Sequence, residues 1–152
     1  MAEGDAGLWL LCLAGPTQCA LPLSAIVETM RPLPIETIPG APNYVMGIAV
    51  VRGAPLPVVE MQRLFGGEAG PIGRLVVVRV GSRRAALAFS DVAGVRPLGP
   101  DVLSRLPPLV DRGSSAVTSL GTQDGELLLV LDAGRIVPDD IFALFEQKAL
   151  AS

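Results

Sequence analysis

The chain repeats itself. Residues 10–24, LLCLAGPTQCALPLS, align without a gap on residues 76–90, VVVRVGSRRAALAFS. Gly15 falls on Gly81, Ala20-Leu21 on Ala86-Leu87, Leu23 on Phe89 and Ser24 on Ser90, at an offset of 66; Ile26 then falls on Val92. A second match joins residues 52–66, RGAPLPVVEMQRLFG, to residues 124–137, DGELLLVLDAGRIV, at an offset of 72. Gly53 meets Gly125, Glu60 meets Asp132 and Arg63 meets Arg135. Self-similarity at a fixed period marks one supersecondary unit used twice. Each half therefore reads as a hairpin, a connecting region, a second hairpin, and an acidic residue that opens a short helix.

The repeated runs carry strand chemistry. They are Val- and Leu-rich stretches of five to eight residues. They flank Gly15-Pro16, Arg52-Gly53, Gly81-Ser82 and Asp124-Gly125, which are turn pairs. The unbroken apolar runs 75–78 and 127–131 predict strands covered on both faces. Helices are few. Asp139 or Asp140 can cap a C-terminal helix over IFALFEQKAL, where Ile141, Phe142, Leu144, Phe145 and Ala149 form one apolar stripe for docking. One or two helical turns are expected at 61–65, and another within PGAPNYV, 39–45. The sequence thus predicts an all-β protein with short helices: two small barrels sharing one core, followed by a C-terminal helix. Closing each sheet removes exposed edges, which matters in so apolar a chain. Half of the 152 residues are hydrophobic but only 4% are aromatic, so the core must be Val, Leu, Ile and Ala. With 17 Gly and 14 Pro, turns are frequent and long helices are disfavoured.

Several kinds of chemistry are disfavoured at once. There is no histidine, which removes Ser-His-Asp and Cys-His catalysis and His-ligated metals. Cys12 and Cys19 lack Cys-x-x-Cys spacing; they read as small apolar residues, with a redox pair across the hairpin as the functional alternative. The net charge is −3. Arg74, Arg79, Arg83 and Arg84 make one local basic cluster, read as the solvated face of a hairpin rather than a nucleic-acid surface. Residues 7–27 carry no charge and match a bilayer span in length. Gly15-Pro16-Thr17-Gln18 and Pro22 interrupt them, so two strands and a turn explain them better than membrane insertion. Glu3 and Asp5 precede them with no basic residue, unlike a signal peptide. The expected location is cytoplasmic, with reduced thiols. Glu60 and Asp132 read as helix starts, with a carboxylate near free backbone N–H groups.

Residues 20–66, ALPLSAIVETMRPLPIETIPGAPNYVMGIAVVRGAPLPVVEMQRLFG, carry a more specific order of signals. An A-L-x-x-x-x-V-x-E pattern leads to a proline, then to a G-V-x-N-L-R-G-x-x-x-P-V-x-D-L pattern. This resembles the CheW-like domain of bacterial chemosensory systems. The resemblance continues through LVVVRVGSRRAALAFSDVAGV and LPPLV to DGELLLVLDAGRI, covering about residues 8–146. It implies a single domain over 8–146, with tails at 1–7 and 147–152. Pseudo-repeats of about 10–66 and 76–137 would interleave as two five-stranded SH3-like β-barrels on a shared hydrophobic core.

The resemblance also implies a function: a non-enzymatic scaffold with no catalytic residues, metal or cofactor. It would couple the regulatory domain of a CheA-type histidine kinase to the cytoplasmic tips of methyl-accepting chemotaxis proteins. Other CheW-like domains are further possible partners, and the protein would be recruited to membrane-associated receptor arrays. The implied kinase-binding residues are Ile26, Glu28, Gly47, Arg52 and Gly53, with the Arg52 fork suited to a partner carboxylate. The implied receptor-binding residues are Val27, Ile38, Val51 and Phe89, an apolar surface for a helical tip. The chain departs from the pattern where Val50 replaces Asn, Glu60 replaces Asp, Ser90 replaces Asp just before Asp91, and Ser119 replaces Gly. These departures point toward a paralogue serving another output, such as type IV pili or a second-messenger enzyme. The alternative reading is a β-barrel that self-associates or binds a small ligand, outside any receptor array.

Overall fold

A computed structural model describes residues 7–98, 117–123, 126–137 and 139–143. The first half of the chain forms β1 (Leu8–Ala14), β2 (Thr17–Pro22), β3 (Ile26–Met30), β4 (Val45–Val51) and β5 (Ala54–Glu60). The second forms β6 (Arg74–Val80), β7 (Arg83–Phe89), β8 (Asp91–Pro97), β9 (Val117–Gln123) and β10 (Glu126–Leu131). Each half ends in one helical turn, α1 (Met61–Leu64) and α2 (Ala133–Ile136). The expected turns at Gly15-Pro16, Arg52-Gly53 and Gly81-Ser82 are present. Asp124-Gly125 lies outside the described residues. Residues 39–45 contain turns and no helix, because Pro39 and Pro42 lack a backbone N–H and Gly40 takes a left-handed φ of 86°.

The strands make two five-stranded sheets, ordered β8-β1-β2-β10-β9 and β3-β6-β7-β5-β4. The two orders are the same pattern, each strand replaced by its repeat partner. Neither sheet is made by one repeat. The sheet containing β3, β4 and β5 takes its central hairpin, β6–β7, from the second repeat; the other takes β1–β2 from the first. The register carries the equivalence to single residues. Val58 pairs with Ala86 in the parallel β5–β7 ladder, and Val130 with Ala20 in the β10–β2 ladder. The bulges recur as well, between Ile26 and Glu28 against β6 and between Leu11 and Cys12 on β1 against Gly94 and Val92.

Both faces of the central hairpins are covered. Leu75, Val76, Val77 and Val78 are all buried, as the unbroken apolar run predicts. Val76, Val78, Leu87 and Phe89 face Leu10, Cys12, Cys19, Leu21 and Leu131 in one core between the two sheets. Their neighbours Leu75, Val77, Ala86 and Ala88 turn the other way, into the interior of the first barrel with Ala49, Val51, Leu56 and Val58. A smaller cluster of Leu11, Ala20, Leu98 and Leu128 sits inside the second. Residues 139–143 are helical, and Ile141 and Phe142 are buried in the shared core. The remainder of the expected C-terminal helix lies outside the described residues.

Two local readings need correction. Glu60 does precede α1, but its carboxylate makes no cap hydrogen bond. It accepts from Gly70 N–H at 3.1 Å and pairs with Arg63 at 3.5 Å, tying down the loop after the helix. The basic cluster is not one face. Arg79 and Arg84 are opposite one another on β6 and β7, whereas Arg83 turns away to Asp139 and lies 5.0 Å from the Phe142 ring centroid. Alternation on adjacent strand positions explains the split.

Candidate functional site

β3 and β4 are the two end strands of the β3-β6-β7-β5-β4 sheet, which forms the first barrel, and the candidate site lies where those ends meet. Val51 and Ala54 close the β4–β5 hairpin around Arg52-Gly53. Both central residues have positive φ, 53° at Arg52 and 81° at Gly53. That is the requirement of the primed turns, whose twist matches the flanking strands. Arg52 is the one non-glycine residue with positive φ among those described. The turn aims its guanidinium back across the sheet end. Nη2 donates to Glu28 Oε1 at 2.8 Å and Nε to Oε2 at 3.2 Å. This is a two-pronged fork on a carboxylate, the geometry that suits arginine and not lysine. The Arg52 side chain is 75% exposed and that of Glu28 23%. The hydrogen bonds from Arg52, with its charge and that of Arg84, lower the Glu28 carboxyl below its ordinary value.

Gly47 lets the chain close on the other side. It sits at the β4 bulge with φ 146°. The segment after β3 returns here, and Glu36 exchanges both backbone hydrogen bonds with Ile48, at 2.7 and 2.8 Å. A Cβ on Gly47 would strike the Glu36 carbonyl. Between this returning segment and β4 lies a groove of about 440 Å3 lined by Leu33, Pro34, Ile35, Glu36, Ile48 and Val50. Val50 is 63% exposed, a large apolar side chain facing water.

The structure therefore brings Glu28, Arg52, Gly53 and Gly47 to one end of the first barrel. Glu28 and Arg52 hold each other, a pairing the sequence reading did not foresee. Ile26 is half-buried against the core between the sheets, and Val27 is the half-buried bulge residue against the first barrel's interior. The expected apolar receptor surface is not assembled. Phe89 is fully buried in the shared core, Val51 is buried inside the barrel, and Ile38 is buried too. Strands covered on both faces leave no polar alternation to separate surface from core. The groove residues Leu33, Ile35, Ile48 and Val50 were missed; Val50 stood out only as a departure from the family pattern.

Cys12 and Cys19 are directly opposite in the β1–β2 ladder, unbonded and fully buried. Burial pushes the Cys12 thiol up to about 12, and that of Cys19 up as well. Neither is a thiolate in the folded protein, so neither is primed for exchange. Among the described residues, no group of three or more His, Cys, Asp or Glu side chains could hold a metal ion. Nor is any helix among them long and apolar enough to cross a membrane.

These features define a class: a pseudo-symmetric pair of small β-barrels whose candidate site is an ion-paired rim beside an apolar groove. Comparison with known proteins places the chain within that class. Residues 8–140 match the CheW-like domain, and the protein belongs to that family. It is 23% identical over 131 residues to the chemotaxis protein CheW of Helicobacter pylori, covering 84% of this chain and 79% of that one. Protein FrzA of Myxococcus xanthus is 32% identical over 110 residues, covering 70% and 68%. The crystal structure of the scaffolding protein TtCheW from Thermoanaerobacter tengcongensis superposes with a TM-score of 0.75 at 21% identity, covering 86% of this chain and 92% of that one. That likeness shows the fold.

Proposed function

We propose that this protein is a non-enzymatic adaptor that couples a CheA-type histidine kinase to methyl-accepting chemoreceptors in a chemosensory array. Family membership supports a chemosensory scaffold. The observation that carries the docking site is the Glu28–Arg52 fork standing beside the groove that exposes Val50. Burying the groove and Val50 supplies the non-directional part of binding. The fork supplies orientation: a charged rim around an apolar centre is the usual anatomy of a specific contact. The kinase regulatory domain is assigned to this end of the first barrel, through Glu28, Gly47, Arg52 and Gly53. Ile26 on the same strand as Glu28 is assigned to the kinase contact as well, and a helical receptor tip to its neighbour, the half-buried Val27. The departures from the family pattern at Val50, Glu60, Ser90 and Ser119 leave room for an array with an output other than flagellar movement.

A pull-down from the source cells with tagged protein tests this. Wild type should recover a CheA-like kinase and a receptor. Arg52→Glu should weaken kinase recovery by roughly tenfold, the scale of one interface hot spot. The charge-swapped pair Glu28→Arg/Arg52→Glu restores the internal attraction and controls for folding. Kinase recovery unchanged by Arg52→Glu removes the site assignment; no kinase or receptor with wild type removes the adaptor function.

A further inference from the structure

The mouth of the first barrel carries more positive charge than its own structure uses. Arg79 and Arg84 are directly opposite one another in the β6–β7 ladder, so their Cβ atoms are about 4.5–5.5 Å apart. Like charges in that position oppose pairing. Both are exposed, at the end of the barrel-facing rows Leu75–Val77 and Ala86–Ala88. Arg79 donates from Nη1 to the Ser24 carbonyl at 3.1 Å, which fixes where its guanidinium points. Neither arginine forms an ion pair among the described residues. The carboxylate of this mouth, Glu28, lies one step inward opposite Val77 and is already held by Arg52. Arg84 is close enough to act on Glu28 through space. Arg52 and Arg84 thus share one carboxylate, and Arg79 beside them meets only the Ser24 carbonyl, in a protein whose net charge is −3.

We infer that Arg79 and Arg84 form a seat for an acidic segment of a partner protein, which places carboxylates between the two forks. The seat is contiguous with the Glu28–Arg52 rim, so an acidic segment engaged here lies along the proposed docking end and extends that reading. Its chemistry stands on the arginines alone. Two exposed guanidiniums on directly opposite strand positions match a pair of carboxylates, and anionic groups bound there would offset the like charge that Glu28 offsets only in part. Among the described residues no aromatic platform stands at the barrel mouth: Phe89 and Phe142 lie in the shared core, Tyr44 and Phe65 pack against it, and Trp9 packs in the second barrel. Single-stranded nucleic acid, which stacks its bases on aromatic side chains, is the poorer match.

A fluorescein-labelled hexaglutamate peptide and a labelled single-stranded oligonucleotide of equal charge are the probes, titrated with full-length protein at low and at physiological salt. Wild type should bind the peptide at low salt, more tightly than the oligonucleotide, and lose affinity as salt rises. Arg79→Gln/Arg84→Gln should weaken peptide binding at least tenfold. Arg31→Gln/Arg74→Gln, which removes two exposed arginines, one just after β3 and one at the start of β6, should leave it unchanged. Thermal unfolding separates a binding role from a structural one: Arg84→Gln should leave the midpoint unchanged or raise it, because a like-charge contact is removed. Tighter oligonucleotide binding, equal losses in the two double variants, absence of peptide binding, or a fall in the Arg84→Gln midpoint each overturns the inference. None of these readouts involves a kinase or receptor, so failure of the adaptor proposal registers separately.

Discussion

At the scale of single residues, the site depends on backbone conformations that side chains resist. Gly47 and Gly53 both have positive φ, but their surroundings differ. A methyl at Gly47 meets the Glu36 carbonyl, whereas nothing lies within 4 Å of one at Gly53. Gly53→Ala should therefore cost only the left-handed penalty, roughly 1–2 kcal/mol. Gly47→Ala adds a forced separation of Glu36 from β4 and should cost roughly 3–5 kcal/mol. Urea unfolding of the two variants checks the order; equal losses would mean that the Glu36–Ile48 closure contributes little. The Glu28–Arg52 fork makes a prediction in pH. Because Glu28 titrates below its ordinary value when folded, its contribution is complete above that value and disappears as pH falls through the lowered one. The stability difference between wild type and Glu28→Gln should stay constant down to the ordinary carboxylate range and shrink only below it. High salt should shrink it at every pH, because the pair faces solvent.

At the scale of strands, the central hairpins are buried on both faces, and this has chemical consequences. Cys12 and Cys19 stay protonated well above the ordinary thiol range near 9. Thiols raised on folding contribute their full stability below that range and lose it as pH rises, since only the unfolded chain can ionise. Stability should fall above pH 9 by about 1.4 kcal/mol per thiol per pH unit. Cys12→Ala/Cys19→Ala should flatten this alkaline slope, as measured by urea midpoints between pH 8 and 10.5. The same double coverage explains what could be read from the sequence. Strand positions were legible in the hydrophobic runs, and three turns in their Gly-containing pairs. Core and surface were not, because Val51 and Phe89 sit on strands with no polar face to mark an outside. Glu28 and Arg52 were found one at a time through the family pattern. Their pairing was invisible, because nothing local links residues that far apart until β3 and β4 become the two ends of one sheet. The outer strand β8 differs: it has no fully buried residue, Val92 and Gly94 are half-buried between exposed neighbours, and Asp91, Arg96, Pro97 and the bulge at Ala93 blunt it as an edge.

At the scale of the whole molecule, the repeats are interlocked. Offsets of 66 and 72, visible in the sequence, reappear as identical strand registers, yet nothing in them tells which hairpin enters which sheet. The exchange of hairpins makes a physical prediction. A break in the loop between α1 and β6 leaves residues 7–70 with β1 to β5 and residues 71–143 with β6 to β10, and neither fragment holds a complete sheet. Each should be unfolded alone, and an equimolar mixture should regain the β-sheet circular dichroism of the intact chain. A fragment that folds by itself would show that the halves are independent. Seen as a history, the same arrangement describes a homodimer. A half-length ancestor with strands β1 to β5 would close both barrels by trading its first hairpin with a second copy, a route to symmetric dimers that needs no new contacts. Joining two such genes end to end would make the trade permanent and release the copies from symmetry. Their divergence is visible at one pair of equivalent positions: Glu28 holds Arg52 at one barrel mouth, and at the other its counterpart is Gly94, with no side chain to offer.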